Sequence, residues 1–238
     1  MKEDKYFSVE HKMLRDMVRE FAQNEVKPLA QEMDEKGEFP HELVRKMAEL
    51  GLMGIPWEEK YGGTGMDTLA LVIAIEELGK VCSSTAATLM AHTSLGTAPI
   101  ALFGTEEQKK KYLPGLASGQ QIGAFGLTEP NAGSDAGNTQ TRAVLDGGEY
   151  IVNGEKAFCT NAGVSSVLIF TAVIIENGKE NGISAFVVES DTEGISFNPP
   201  EKKMGWCASD TRSVFFKDMH IAKSAILGNP EKGFKQFL

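Results

Sequence analysis

The sequence predicts an α+β protein: an all-α helical domain over residues 1–118, then an antiparallel, barrel-like β domain over residues 119–229, with residues 230–238 beginning a further helical domain. Up to about Gly119, apolar residues recur at three- and four-residue steps between helix caps and stops. Beyond it they gather in short β-branched and aromatic runs, punctuated by Asp146-Gly147-Gly148, Asn153-Gly154 and Asn177-Gly178. A length of 238 residues, 42% of them hydrophobic, is enough to build a sizeable core.

Taken in order, Ser8 can cap a helix on which Leu14, Met17, Val18, Phe21, Val26, Leu29 and Met33 form one apolar face, running to Glu35. Pro40 suits the first turn of a second helix, which carries Leu43, Met47 and Leu50 and stops at Gly51. Residues 51–67 read as a loop. Asp67 then caps a helix bearing Leu69, Leu71, Val72, Ile75 and Leu78, with Gly79 as its stop, and Ser84 opens an Ala-rich segment ending near Gly104. Thr105 and Gln108 have capping-box spacing for a short helix that Pro114-Gly115 closes. In the second half, residues 166–175, 183–188 and 213–216 are the strands of an antiparallel meander. Residues 231–238 start another amphipathic helix at which the chain stops, and this implies a third, helical domain that is absent.

Composition excludes several functions. A net charge of −9 argues against nonspecific nucleic-acid binding, which needs clustered Lys and Arg to neutralise phosphates. The run Lys109–Lys111 follows Glu106 and Glu107 and reads as a solvated helix face. No apolar run approaches the ~20 residues of a membrane helix and no secretory core follows Met1, so no membrane insertion and a cytoplasmic location are expected. Cys82, Cys159 and Cys207 lack both metal-ligand spacing and a disulfide framework and read as reduced thiols; no metal is expected. His11, His41, His92 and His220 show no ligand or triad spacing and read as structural or exposed. No G-x-G-x-x-G follows a strand, so the usual dinucleotide-binding fold is not supported.

The chemistry concentrates in two blocks. Phe125-Gly126-Leu127-Thr128-Glu129-Pro130-Asn131-Ala132-Gly133-Ser134-Asp135 joins an apolar strand to a glycine-containing turn. Thr128, Ser134 and the amides around Gly133 are neutral donors that suit an anionic diphosphate approached closely by backbone. Taken alone, the block also fits a hairpin turn rich in turn formers. The second block, Lys156-Ala157-Phe158-Cys159-Thr160-Asn161, places a hydroxyl two residues after an aromatic. Cys159 has no neighbouring His or positive charge in sequence to activate it as a nucleophile.

These two blocks, in this order, resemble the acyl-CoA dehydrogenase family, and nearly the whole chain is similar to that family's first two domains. The resemblance implies FAD as cofactor, held by Phe125, Gly126, Leu127, Thr128, Gly133, Ser134, Phe158, Cys159 and Thr160. It also places Ser134 close to the acyl-CoA, the aromatic of Phe158 against the isoalloxazine and the hydroxyl of Thr160 near flavin N5, where a donor stabilises the charge that arrives with hydride. The implied reaction is α,β-dehydrogenation of a short- or medium-chain acyl-CoA to the 2-enoyl-CoA, with electrons passed to an electron-transfer flavoprotein. Alternatives are an acyl-CoA oxidase-like enzyme on the same scaffold, or a noncatalytic flavin- and acyl-CoA-binding fragment. The family base is a glutamate beyond the part covered here, so no catalytic residue is assigned, and Glu129 reads as a structural turn residue. The full-length form is expected to be a homo-oligomer. This chain departs from the family in having Phe158 where Trp is usual, Cys159 where an aliphatic residue is usual, and Cys207 where a basic residue is usual.

Overall fold

The computed structural model describes residues 6–230 and 233–234; most of the helix expected over residues 231–238 lies outside the described residues. The chain forms two compact units, one of residues up to Met90 with 117–120 and 202–209, the other of residues 91–116, 121–201 and 210 onward. Helical residues 91–116 therefore group with the sheet.

In the first unit, Ser8 caps α1 (Val9–Phe21) as expected: its hydroxyl accepts from His11 N at 3.3 Å while His11 Nδ1 accepts from Ser8 N at 3.2 Å. His11 does more than fill space. Its Nε2 lies 2.9 Å from Asp67 Oδ1, the same oxygen that caps α4 (Thr68–Gly79) by accepting from Ala70 N at 2.9 Å. One imidazole thus ties two helix starts together. The single helix expected over residues 8–35 is interrupted by a π turn, Ala22–Val26, before α2 (Lys27–Lys36). The wider turn rotates the apolar stripe away from the core, so α2 buries no side chain and Leu29 stands exposed. Helix α3 (His41–Glu49) ends as expected, with Gly51 left-handed at φ 73°; two short 3-10 turns, Leu52–Gly54 and Glu59–Tyr61, interrupt the expected loop, and α5 (Ser83–Met90) follows α4.

The second unit begins with another π turn (Ala91–Thr97), followed by α6 (Ala98–Phe103) and α7 (Glu106–Ala117). The expected capping box is present, Gln108 N donating to Thr105 Oγ1 at 3.2 Å and Thr105 N to Gln108 Oε1 at 3.0 Å. Helix α7 does not close at Pro114 but runs through it to Ala117. Proline removes one backbone donor there, and burial of Leu113, Leu116 and Ala117 outweighs that loss.

Among the described residues eight strands follow: β1 (Gly123–Gly126), β2 (Arg142–Asp146), β3 (Glu149–Thr160), β4 (Val167–Glu176), β5 (Lys179–Glu189), β6 (Ile195–Phe197), β7 (Thr211–Ala222) and β8 (Ile226–Leu227). They form one open sheet in the order β6-β7-β3-β2-β4-β5-β8, with β1 also on β4. The helical-then-β succession is as expected. The sheet, however, does not close into a barrel, and it is mixed, because β1 and β2 both run parallel to β4. Strand β4 reads as an unbroken apolar run, Val167 to Ile174 all buried, which suits a strand covered on both faces. The turns at Gly147-Gly148 and Asn177-Gly178 are two-residue hairpins with positive φ. Asn153-Gly154 is not a turn: it lies inside β3, at a register shift against β7 where Gly154 has φ 148° and abuts Thr141.

The start of β1 is set by the π turn. Buried His92 accepts from Gly123 N through Nδ1 at 3.1 Å and approaches the Leu116 carbonyl through Nε2 at 3.1 Å, which makes Nε2 the protonated nitrogen. Gly96 and Gly123 meet backbone to backbone: a Cβ at Gly96 would stand 2.3 Å from the Gly123 carbonyl carbon. Gly96→Ala is therefore expected to push the π turn off β1 and to lower stability by about 1–3 kcal/mol in a denaturant titration. An unchanged midpoint would contradict this packing.

Candidate functional site

Strand β1 ends at Gly126, and the chain leaves the sheet over residues 127–141 before re-entering as β2. The first block occupies this excursion and the second the end of β3, and the two meet. Ala157 N donates to Thr128 O at 2.8 Å. A Cβ at Gly126 would meet Lys156 Cγ at 2.9 Å and Cys159 Sγ at 3.3 Å, so glycine is required there for the end of β1 to pack on β3. Phe125, Gly126, Leu127, Thr128, Phe158, Cys159 and Thr160 thus form one neighbourhood, with Phe125, Leu127, Thr128 and Thr160 partly exposed.

Gly133 and Ser134 stand exposed further out on the excursion. Nothing lies within 4 Å of a Cβ built on Gly133, and its φ is not positive, so the fold itself has no need of glycine at this position.

Phe158 is the most unusual residue of the site. It is 67% exposed and left-handed at φ 56°, at a second register shift between β3 and β7. A bulky aromatic pays for neither exposure nor that backbone by packing into its own fold. Cys159, next to it, points the other way into the sheet core, and burial pushes its thiol up to about 12. It is inert as a nucleophile and offers only backbone outward. Asn161, φ 65°, turns the chain out of β3, and its amide donates to Asp210 O at 2.7 Å. The Asp210 carboxylate takes Gly163 N at 2.7 Å and Arg212 Nε at 2.8 Å, so the far end of the second block is held by residues outside both motifs.

Beneath the excursion lies a buried ion pair. Lys156 Nζ is 2.7 Å from Glu129 Oε1, with side-chain exposures of 0% and 3%. Glu129 also accepts from Gln140 N at 2.6 Å, Thr141 N at 3.1 Å and Thr141 Oγ1 at 2.6 Å. Burial alone would raise the Glu129 carboxyl, but hydrogen bonds from Lys156, Thr141 and Gln140 outweigh it and hold the group below the usual carboxylate range. A carboxylate so fully satisfied is no general base, which agrees with its reading as a structural residue. The roles of Lys156, Thr141 and Asp210 escaped the sequence reading. Lys156 lies within the second block, and two-residue alternation along β3 puts it on the buried face of Tyr150 and Val152, a signal that could have found it.

Among the described residues no cluster of His, Cys, Asp or Glu could hold a metal ion, and no helix is long and apolar enough to cross a membrane.

Residues 8–120 match the acyl-CoA dehydrogenase N-terminal domain and residues 124–219 the acyl-CoA dehydrogenase middle domain. Probable acyl-CoA dehydrogenase YngJ of Bacillus subtilis is 51% identical over 96% of this chain and 60% of its own length. The short-chain specific acyl-CoA dehydrogenase of Clostridium acetobutylicum is 50% identical over 94% of this chain and 59% of its own length. An acyl-CoA dehydrogenase of Bacillus anthracis, solved in complex with FAD, superimposes with a TM-score of 0.91 at 40% identity, covering 98% of this chain and 41% of that one. The chain spans about 60% of the length of the curated relatives it matches. It belongs to the acyl-CoA dehydrogenase family, of which it carries the N-terminal and middle domains.

Proposed function

We propose that this chain holds FAD for the α,β-dehydrogenation of a short- or medium-chain acyl-CoA to the 2-enoyl-CoA, with electrons leaving to an electron-transfer flavoprotein. The observation that carries the reading is Phe158, an exposed aromatic on strained backbone, two residues before the Thr160 hydroxyl and beside the excursion from β1. Backbone strain of this kind clusters at ligand sites. The residues fit the cofactor. Phe158 offers a ring face for a flat heteroaromatic system, Thr160 a hydroxyl donor, and Gly133, open on its Cβ side, allows close approach of a diphosphate to backbone. Flavin, when bound, accepts the hydride.

In this assignment Phe125, Gly126, Leu127 and Thr128 line the inner wall, Gly133 and Ser134 the phosphate side, with Ser134 also toward the acyl-CoA, and Cys159 contributes through its backbone. None of these residues is a base for the α proton, and none is assigned. A homo-oligomeric full-length form and a cytoplasmic location belong to the same proposal.

The test is the visible spectrum of the purified chain with FAD, followed by anaerobic addition of butyryl-CoA. A bound, spectrally shifted flavin is expected; absence of any bound flavin overturns the assignment. Phe158→Gly separates cofactor from fold. It removes the left-handed strain at a mostly exposed position, so stability is expected to hold or rise by up to about 1 kcal/mol while FAD binding weakens. A destabilised variant with unchanged FAD affinity would show that Phe158 serves the fold.

A further inference from the structure

The sheet has a break at the root of the site. Strands β1 and β2 lie end to end along one edge of β4, β1 opposite residues 167–170 and β2 opposite residues 173–175, while β5 occupies the other edge. The excursion 127–141 leaves through the gap opposite Thr171. Lys156 reaches into that gap from β3, with Nζ 3.1 Å from Thr171 Oγ1, 3.3 Å from Leu127 O and 2.7 Å from Glu129 Oε1. Glu129 in turn accepts the amides of Gln140 and Thr141. The outgoing limb, the returning limb and the strand that ends in Phe158 therefore converge on one buried ion pair.

We infer that Glu129 and Lys156 are positioning residues, which hold the mouth of the excursion and the strand two residues before Phe158 in the arrangement the flavin needs. A buried pair is a poor device for stability alone, because apolar residues of similar volume commonly serve as well or better. What apolar residues cannot reproduce is directional grip on both limbs at once: the Leu127 carbonyl through Lys156, and the Gln140 and Thr141 amides through Glu129. Ala157 N, bonded to Thr128 O, passes that register directly to Phe158. The inference rests on the flavin assignment made above.

The test compares the wild-type chain with Glu129→Gln/Lys156→Met, in which both charges go and the volumes stay. Denaturant midpoint, FAD dissociation constant and the shape of the bound flavin band are read together. The expected result is near wild-type stability with FAD bound about tenfold more weakly and the flavin band displaced toward free FAD. A double variant with both wild-type stability and wild-type FAD affinity overturns the positioning role. So does one in which FAD affinity falls only as far as the loss of folded protein accounts for, with the flavin band of the bound fraction unchanged, because that outcome makes the pair purely structural. A wild-type chain that takes up no FAD sinks the cofactor assignment itself, and with it the purpose of the pair, so the two failures are told apart by the wild-type measurement.

Discussion

Lys156→Met lowers stability by about 3–5 kcal/mol at neutral pH, read as a shift of the denaturant midpoint at unchanged slope. The reason is asymmetry. Lys156 and Glu129 are both shut off from solvent, so removing the ammonium leaves a carboxylate that burial opposes and whose nearest countercharge is gone. The cost should also depend on pH in a defined direction. In the wild type the folded-state pKa of Glu129 lies below its ordinary value of 4.5, so its contribution is complete above that value and is lost as pH falls through the lower, folded pKa. In the variant, burial without Lys156 drives the group toward its neutral form. The difference between the two proteins is therefore greatest at neutral pH and shrinks on acidification, beginning above 4.5 as the variant's raised carboxyl protonates and continuing below it as the wild-type group follows. A penalty under about 1 kcal/mol, or one that grows in acid, would show that the pair is not ionised in the folded protein.

Phe170→Ala has a comparable cost by another mechanism, about 3–5 kcal/mol. Phe170 is fully buried on β4, stacked on Phe186 with ring centroids 5.4 Å apart and tilted against Phe216 at 4.4 Å, and Phe186 in turn meets Tyr150 edge-on at 5.5 Å. Truncation removes the centre of that aromatic group and leaves a cavity bounded by strands, which collapse poorly. Phe170 also pairs with Gly126, the last residue of β1, which has no side chain with which to fill the hole. The loss is expected in thermal or denaturant unfolding, and slack at this point should loosen the root of the excursion. A cost below about 2 kcal/mol would mean that the sheet relaxes into the space.

Much of the molecule was legible without coordinates, and the legible parts share a cause. Caps, glycine stops and two-residue hairpins are local chemistry: Ser8, Asp67, Thr105 with Gln108, Gly51, Gly147-Gly148 and Asn177-Gly178 each act within a few residues of their own position. The two site blocks were equally visible, because a glycine-bearing turn and an aromatic followed by a hydroxyl are recognisable as strings.

Local rules failed where a distant partner outweighed them. Pro114 did not stop α7, because buried side chains hold the last turn. The stripe over residues 8–35 lost its second half to a π turn that periodicity does not reveal. Asn153-Gly154 has the letters of a hairpin but lies within a long strand, opposite a bulge in β7. Strand order is of the same kind: nothing in β1 or β2 announces that both lie parallel to one edge of β4.

The sequence by itself determined the succession of helices then strands and the family, because each rests on short-range pattern. Only the tertiary structure decided that β1 and β2 share an edge, that Lys156 meets Glu129 in the gap between them, and that Phe158 stands strained and exposed. Those facts depend on register across the sheet, and register is a property of pairs of segments rather than of any one of them.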